Sequence, residues 1–210
     1  QKAATMPVAF LTAHYALADV GQLDEAESVL IHLASGGVGL AAIQVAKDRC
    51  ASRIFGTAGS DAKRAHVEAL GVEAVMNSRS LEFSEELLRR TGGDGVDVVL
   101  NALSGAGIDK SLECLAPFGR MVEIGKRDLA DDKPIGLGSL YRNNAYSVID
   151  LSTLPTEKPK RFRKLLAAVE QKIALGSYQP LPATIYPVSR TSDAMRALFQ
   201  AQHIGKIVVT

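Results

Sequence analysis

The 210-residue sequence predicts an α/β protein with a doubly wound parallel (Rossmann) sheet, followed by a C-terminal fragment of a second domain. Short apolar runs alternate with helical patterns along residues 1–150, which is typical of successive β-α-β units. A glycine-rich turn joins the first of these strands directly to a helix. The pattern changes after Asp150, where a strongly basic amphipathic helix follows. We therefore divide the chain into residues 1–152 and residues 153–210.

Each element is predicted from its hydrophobic period and from the glycines, prolines and capping residues that bound it. Apolar side chains at helical spacing cover residues 5–20, and Gly21 ends them. Strands are predicted at 29–31, 53–58, 73–76, 96–100, 120–124 and 145–149, with a short strand near Ile185 and a closing strand at 206–209. Helices are predicted at 40–46, 61–70, 82–91, 108–115, 158–172 and 191–201.

The turn after the first strand has the sequence Ala34-Ser35-Gly36-Gly37-Val38-Gly39. Gly36 and Gly37 let the backbone approach a pyrophosphate closely, and Gly39 lets the new helix lie against the strand. The free N–H groups and the positive dipole end of that helix face the phosphates. Ala34 replaces the usual first glycine, and an ordinary strand-to-helix turn is the alternative. Strand, turn and helix in this order favour a dinucleotide site.

The end of the second strand indicates which dinucleotide is bound. An NAD site usually places an acid there, about 20 residues past the glycines, to bond the ribose 2′-hydroxyl. Residues 56–60 are Gly-Thr-Ala-Gly-Ser and contain no acid. Lys63 and Arg64 follow in the first turn of the next helix, where cations are unfavourable unless an anion such as a 2′-phosphate is present. Arg79 follows the third strand. We predict NADPH, with a ligand-free pair of surface cations as the alternative.

Charge, hydropathy and cysteine spacing argue against several classes of protein. The chain has 24 basic and 23 acidic residues, which disfavours nucleic-acid and membrane-surface binding. No apolar run approaches the roughly 20 residues of a membrane span. Cys50 and Cys114 lack a C-x-x-C spacing, so we expect both to be buried thiols of a reducing compartment. A cytoplasmic protein is predicted.

Five stretches along the chain form a recognisable pattern: LIHLASGGVG (30–39), GTAGSDAKR (56–64), GVDVVLNALSG (95–105), GRMVEIGKRDL (119–129) and HIGKIVVT (203–210). Together they resemble the enoyl reductase domain of polyketide synthases and animal-type fatty acid synthases. That domain belongs to the zinc-independent, quinone-reductase-like branch of the medium-chain dehydrogenase/reductase superfamily. In this family the N-terminal half of the substrate domain precedes the helix that starts near Thr5. The resemblance therefore implies a piece of a longer chain.

The resemblance implies NADPH-dependent reduction of a trans-2-enoyl chain held as a thioester on an acyl carrier protein. Hydride goes from C4 of the nicotinamide to the β-carbon, and the resulting enolate takes a proton at the α-carbon. The protein has to place the nicotinamide, stabilise the enolate oxygen and supply the proton. Neighbouring synthase domains are the implied partners.

The resemblance also assigns cofactor-binding residues by position. Thr12 lies in the helix whose counterpart faces the nicotinamide half, with local helix packing as the alternative. Lys206, in the closing motif, is placed near the cofactor. The remaining positions are the pyrophosphate loop, the 2′-phosphate end and the ends of two later strands, where open α/β sheets bind ligands: Ser35, Gly36, Gly37, Val38, Gly39, Thr57, Ser60, Lys63, Arg79, Asn101, Leu103 and Gly125.

Two residues match the proposed proton-transfer groups of the family. Lys126 follows the strand MVEI and matches the lysine proposed as proton donor, and Asp150 follows the strand YSVI and matches the acid proposed beside it. A lysine near a carboxylate holds its ammonium form and can donate from it, and water can substitute if either is lost. A solvated lysine and a turn-forming aspartate are the alternatives.

Other functions are weighed against this one. Zinc-dependent relatives place a cysteine ligand just before the first helix, and residues 5–10 contain none, so no metal is expected. A free-standing quinone or enone reductase is the narrower alternative. A module that binds NADPH without turnover is the alternative from another class. A homodimer through an edge strand is left open.

Overall fold

The computed structural model describes the backbone of residues 1–210 and the side chains of all of them except Leu137. The main sheet contains six strands: β1 (Ser28–Ile31), β2 (Arg53–Ala58), β3 (Ala74–Asn77), β4 (Val96–Asn101), β5 (Leu115–Glu123) and β6 (Ala145–Val148). All of its pairings are parallel, and the strand order is β3-β2-β1-β4-β5-β6. This is the order of a doubly wound nucleotide-binding sheet, and the predicted fold class is confirmed.

Helices cover both faces of this sheet. The helices of the described chain are α1 (Pro7–His14), α2 (Gly37–Asp48), α3 (Asp61–Glu68), α4 (Phe83–Arg90), α5 (Ala106–Glu113), α6 (Arg127–Ala130), α7 (Leu154–Glu157), α8 (Pro159–Ala174) and α9 (Thr191–Phe199). A second, two-stranded parallel sheet pairs β7 (Ala183–Tyr186) with β8 (Lys206–Val209). None of the helices in the described chain has the length and hydropathy needed to cross a bilayer.

The core alternates along each strand, because successive side chains of a strand point to opposite faces of the sheet. Val29 and Ile31 pack in the cluster that contains α1 and α2, whereas Leu30 packs with Phe55 and Phe83 on the other face. All four residues of β1 are buried, as expected for a parallel strand covered on both sides. The basic helix α8 lies beyond the predicted boundary at residue 152, yet its apolar side joins the first cluster.

Strand β5 differs from its prediction. It was expected at 120–124, with Pro117-Phe118-Gly119 ending a helix, but it already begins at Leu115. Leu115 pairs with Val96, and the register then shifts before the pairing continues at Arg120. Phe118 has a positive φ of 64° and its N–H donates to Arg142 O. The proline and glycine therefore form an irregularity inside the strand, which local composition does not distinguish from a turn.

The short helices α6 and α7 were not predicted, since one helical turn leaves no periodicity to detect. Residues 15–20, predicted to continue the first helix, form a π-helical turn after α1.

Cys114 is buried as predicted, but the prediction for Cys50 is wrong: it is exposed. Cys50 follows α2 with φ of 58°, so it lies in the turn that ends the helix rather than on its packed side.

A buried histidine connects the ends of the first two strands to α5. His32 Nδ1 lies 3.0 Å from Thr57 Oγ1, and its Nε2 lies 2.9 Å from Ser111 Oγ. Ser111 donates to Gly107 O and Leu33 N–H donates to Thr57 Oγ1, so all donors are used when the His32 proton is on Nε2. Complete burial lowers the pKa of His32 to about 3.

We predict that His32→Leu destabilises the protein by about 1–3 kcal/mol at pH 7.5, because two buried hydroxyls lose a partner. The difference in free energy of unfolding between wild type and His32→Leu should be smaller by about 2 kcal/mol at pH 5 than at pH 7.5. Below pH 6.5 the unfolded histidine takes up a proton that the buried one cannot, so wild type alone loses this stability as the pH falls. Urea unfolding at both pH values measures it. An unchanged difference between the two pH values would contradict the assignment of His32 as a buried neutral base.

Candidate functional site

The loop after β1 brings α2 very close to the strand. A Cβ on Gly39 would lie 2.6 Å from Leu33 O and from Ala34 Cα, so only glycine fits there without displacing the helix. Gly36 is the N-cap residue, and the first turn of α2 carries no acidic side chain. Its N–H groups are therefore available to an anion at the carboxyl edge of the sheet.

The C-terminal segment of the chain closes over this loop. Gly205 N–H donates to Ser35 O at 2.8 Å, and Gly36 and Gly205 form an isolated parallel bridge. The side chain of Lys206 consequently lies against Gly37, where an added Cβ would be 2.6 Å from Lys206 Cδ. The loop predicted to bind pyrophosphate thus has a cation from the C-terminal segment beside it.

Three residues of the predicted 2′-phosphate end come together beside β2. Ser60 caps α3 and accepts a hydrogen bond from Lys63 N–H. Lys63 Nζ donates to Ala201 O at 2.6 Å, and the Arg79 side chain lies over Gly59, where an added Cβ would be 3.1 Å from its Nε. Partial burial, and then the charge of Arg79, lower the pKa of Lys63. A cluster of cations at the end of the second strand results.

Thr57 does not face this cluster. Its side chain is fully buried, and its hydroxyl is used by His32 and by the N–H of Leu33. The expectation that Thr57 contacts the cofactor therefore does not fit its placement. It supports the loop from behind, because its hydroxyl bonds His32 and the N–H of Leu33.

A groove runs along the carboxyl edge of the sheet, at the point where the strand order reverses. Its cavity has a volume of about 720 Å³, within the usual range of about 300–1,000 Å³ for ligand pockets. Arg79 lines it at one end and Lys126 at the other, with Leu33, Leu103 and Gly125 between them. Open α/β sheets bind ligands in such a crevice.

Asn101 and Leu103 follow β4 into this groove in different ways. Leu103 lines it, as predicted. Asn101 is wholly buried: its Nδ2 donates to Leu103 O at 3.0 Å and to the Glu123 carboxylate, and its Oδ1 accepts from Leu103 N–H. Asn101 therefore shapes the loop from beneath, and the predicted direct contact with a cofactor does not fit its position.

Lys126 and Asp150 come together, because they follow β5 and β6, which pair in parallel. Lys126 Nζ lies 3.8 Å from Asp150 Oδ1 and donates to Ile149 O at 2.9 Å. The side chains are 55% and 44% exposed. Hydrogen bonds from the Ser152 hydroxyl and N–H, and then the charge of Lys126, lower the pKa of Asp150. A solvent-accessible ammonium group thus lies beside an ionised carboxylate at one end of the groove.

Thr12 makes the local contact that was its alternative interpretation. Its hydroxyl donates to Val8 O, one turn earlier in α1, at 2.8 Å. Bonding of this kind is common for threonine within a helix. Its predicted position facing the nicotinamide half stays a prediction.

Comparison with known proteins decides the family. A profile described as zinc-binding dehydrogenase matches residues 37–171. The nucleotide-binding subdomain of the enoylreductase domain of PpsC from Mycobacterium tuberculosis is 48% identical, with a TM-score of 0.77 over 83% of this chain and 97% of that one. The chain belongs to the enoyl reductase domains of polyketide synthases. CurK enoyl reductase superposes on this reductase domain with a TM-score of 0.89 at 40% identity, over 100% of this chain and 62% of that one.

Curated relatives of this reductase domain are much longer proteins. A phenolphthiocerol/phthiocerol polyketide synthase of Mycobacterium tuberculosis is 46% identical over 209 residues, and highly-reducing polyketide synthase 1 of Aureobasidium melanogenum is 42% identical over 211. The matches cover 100% and 99% of this chain, but the chain spans only 10% of the length of each relative.

The family description names zinc, and the residues of this reductase domain do not fit it. Among the described residues, no group of three or more His, Cys, Asp or Glu side chains could hold a metal ion. Protein sites for zinc supply three or four such ligands.

Sequence reasoning did not identify His32, Glu123, Asp128 and Tyr146, which lie in or beneath the groove. Glu123 had a usable signal, because it is a carboxylate within the apolar run of a strand predicted to be buried on both faces. The others occur in positions where polar residues need no special explanation.

We predict that Gly39→Ala destabilises this reductase domain by about 1–3 kcal/mol, because its Cβ forces α2 away from the loop. Gly36→Ala is the matched control, since its Cβ would meet only Leu33 O, at 3.3 Å, and its backbone is extended. The control should change the free energy of unfolding by less than about 0.5 kcal/mol. Urea unfolding measures both variants. Equal losses would show that close packing at Gly39 is not what requires glycine.

Proposed function

We propose that this chain binds NADPH and takes part in reducing a trans-2-enoyl thioester, carried by an acyl carrier protein, to the saturated acyl thioester. The observation that carries the proposal is the pair Lys126–Asp150 beside a groove that both Lys126 and Arg79 line, with Lys63 close to Arg79. A groove with cations at one end and a proton-donating pair at the other suits a phosphorylated hydride donor. The family of the chain supports this reaction.

The phosphate contacts are proposed from the chemistry of the residues present. The glycines of the loop and the N–H groups of α2 suit the pyrophosphate, and Lys206 adds a charge there. Lys63, Ser60 and Arg79 suit the adenosine 2′-phosphate, which would give the two clustered cations a counter-ion. NADPH is therefore proposed over NADH.

Proton delivery is proposed for Lys126. A bound NADPH supplies the hydride that adds to the β-carbon of the enoyl thioester. The Lys126 ammonium has three N–H donors, of which one bonds Ile149 O and a second points to the nearby Asp150 carboxylate. The third is free to protonate the α-carbon of the enolate, which completes the saturated product. Lys126 then regains a proton from water, because its side chain is 55% exposed.

The setting of the reaction is also a proposal. We place it in the cytoplasm, where the unpaired thiols Cys50 and Cys114 are stable. A module that binds NADPH without turnover is the second candidate, because the exposed Lys126 and Asp150 leave the reacting end of the groove open to water. Neighbouring synthase domains, a homodimer through the outer strand β6, and the boundary at residue 152 stay as proposals.

We expect the chain to bind NADPH more tightly than NADH, and Lys63→Ala to remove most of that preference. A charged hydrogen bond to phosphate contributes about 1.5–3 kcal/mol, so NADPH affinity should fall about tenfold or more while NADH affinity is unchanged. Titration followed by nicotinamide fluorescence measures both ligands. Lys160→Ala, on the exposed side of α8, is the control. Equal binding of the two nucleotides by wild type would overturn the 2′-phosphate site.

We expect Lys126→Ala to lower kcat by about 10²-fold in a reductase that joins this chain to the preceding segment of its substrate domain. Water replaces the lysine only partly as proton donor. Asp150→Asn should have a smaller effect, since it leaves the lysine in place. NADPH oxidation with a crotonyl thioester measures the rate, and Lys110→Ala on α5 is the control. An unchanged kcat for Lys126→Ala would exclude it as proton donor.

Rapid turnover by the 210-residue chain alone would exclude the second candidate function, a module that binds NADPH without turnover.

A further inference from the structure

Two loops form the walls of the groove near Lys126. One follows β4 at residues 101–105, and the other follows β5 at residues 123–128. They are joined at the floor, where Asn101 Nδ2 donates to the Glu123 carboxylate, and at the rim, where Gly105 N–H donates to Asp128 Oδ2 at 2.5 Å. The separation of the two walls is therefore set by carboxylates from the second loop.

Glu123 is an unusual residue for this position. It is only 2% exposed, and its donors, Asn101 Nδ2 and the N–H of Gly125, are both neutral. No salt bridge between described side chains includes Glu123. Burial raises the pKa of Glu123, and the bonds from Asn101 and Gly125 oppose that change. A buried carboxylate without a cation is costly, so stability alone does not account for it.

Gly125 shows what the carboxylate positions. Gly125 N–H donates to Glu123 Oε1, and an added Cβ would lie only 2.6 Å from that oxygen and 3.6 Å from Leu103 O. The peptide of Gly125 is thus held directly over the carboxylate, against the opposite wall. Lys126 is the next residue, so the same bond determines where its side chain begins.

We propose that Glu123 is a positioning residue, which holds Gly125 and Lys126 against the Asn101–Leu103 wall and so fixes the width of the groove at its nicotinamide end. This inference rests on the proposed function, which places the nicotinamide there. A carboxylate is required because both of its oxygens accept, one from each wall. Glutamine has the same shape, but it offers one accepting oxygen and one donating NH₂, so it satisfies only one wall.

The test is Glu123→Gln in the 210-residue chain, titrated calorimetrically with NADPH and with 2′,5′-ADP, which lacks the nicotinamide half. We expect NADPH affinity to fall about tenfold and 2′,5′-ADP affinity to be unchanged. Glu27→Gln is the matched control, because Glu27 bonds Arg120 at the opposite edge of the sheet. It should change neither affinity. Tyr146→Phe removes a hydroxyl close to the same carboxylate and should give a smaller selective loss, which provides a second test if Glu123→Gln fails to fold.

Each other outcome decides the question. Equal weakening of both ligands by Glu123→Gln would assign Glu123 a purely structural role and overturn the proposal. Unchanged affinities of Glu123→Gln for both ligands would also overturn the proposal. If wild type binds 2′,5′-ADP as tightly as NADPH, the nicotinamide end contributes nothing and the positioning role fails while the phosphate site stands. If wild type binds neither ligand, the proposed function itself is wrong.

Discussion

The structure depends on how polar groups are satisfied at the carboxyl edge of a sheet that is buried on both faces. Parallel strands covered by helices leave little water at their ends, and each buried polar group there needs a partner. The chain meets this need with a continuous set of side chains that connects β2, the end of β1, α5, β4 and β5: Thr57, His32, Ser111, Asn101 and Glu123. The groove lies on this layer, so its floor is fixed before any ligand arrives.

This layer separates two kinds of residue at the strand ends. Some side chains point into it and hold the loops, and others leave the loops free to present backbone groups and exposed charges to a ligand. Rigid support beneath exposed groups is the arrangement that binding and catalysis require. The glycines follow the same logic, since Gly39 and Gly125 occur where a side chain would collide with the support itself.

The sequence was sufficient for the fold class, because strand ends and glycine turns leave local patterns. The family resemblance implied that Asp150 lies beside Lys126, and in the structure the two residues follow the adjacent parallel strands β5 and β6. The burial of Thr57 and Asn101 was not predicted for a physical reason: a position at a strand end does not say whether the side chain points along the edge or into the layer beneath. That direction depends on partners distant in sequence, such as His32 for Thr57 and Glu123 for Asn101. The irregular start of β5 likewise depends on pairing with β4.

Charge is balanced differently at the Lys126–Asp150 pair and at the Lys63–Arg79 pair. This difference matches the two tasks proposed for them, proton transfer and phosphate binding. Lys126 already has Asp150 and a carbonyl oxygen as partners, so its ammonium group needs no ligand to be balanced. Lys63 has only the neutral Ala201 carbonyl and lies near Arg79, whose charge disfavours its own. Like charges held together lower stability unless an anion joins them. Lys63 and Arg79 therefore gain most from a bound phosphate. Lys126, whose charge is already balanced by Asp150, is the group suited to proton transfer.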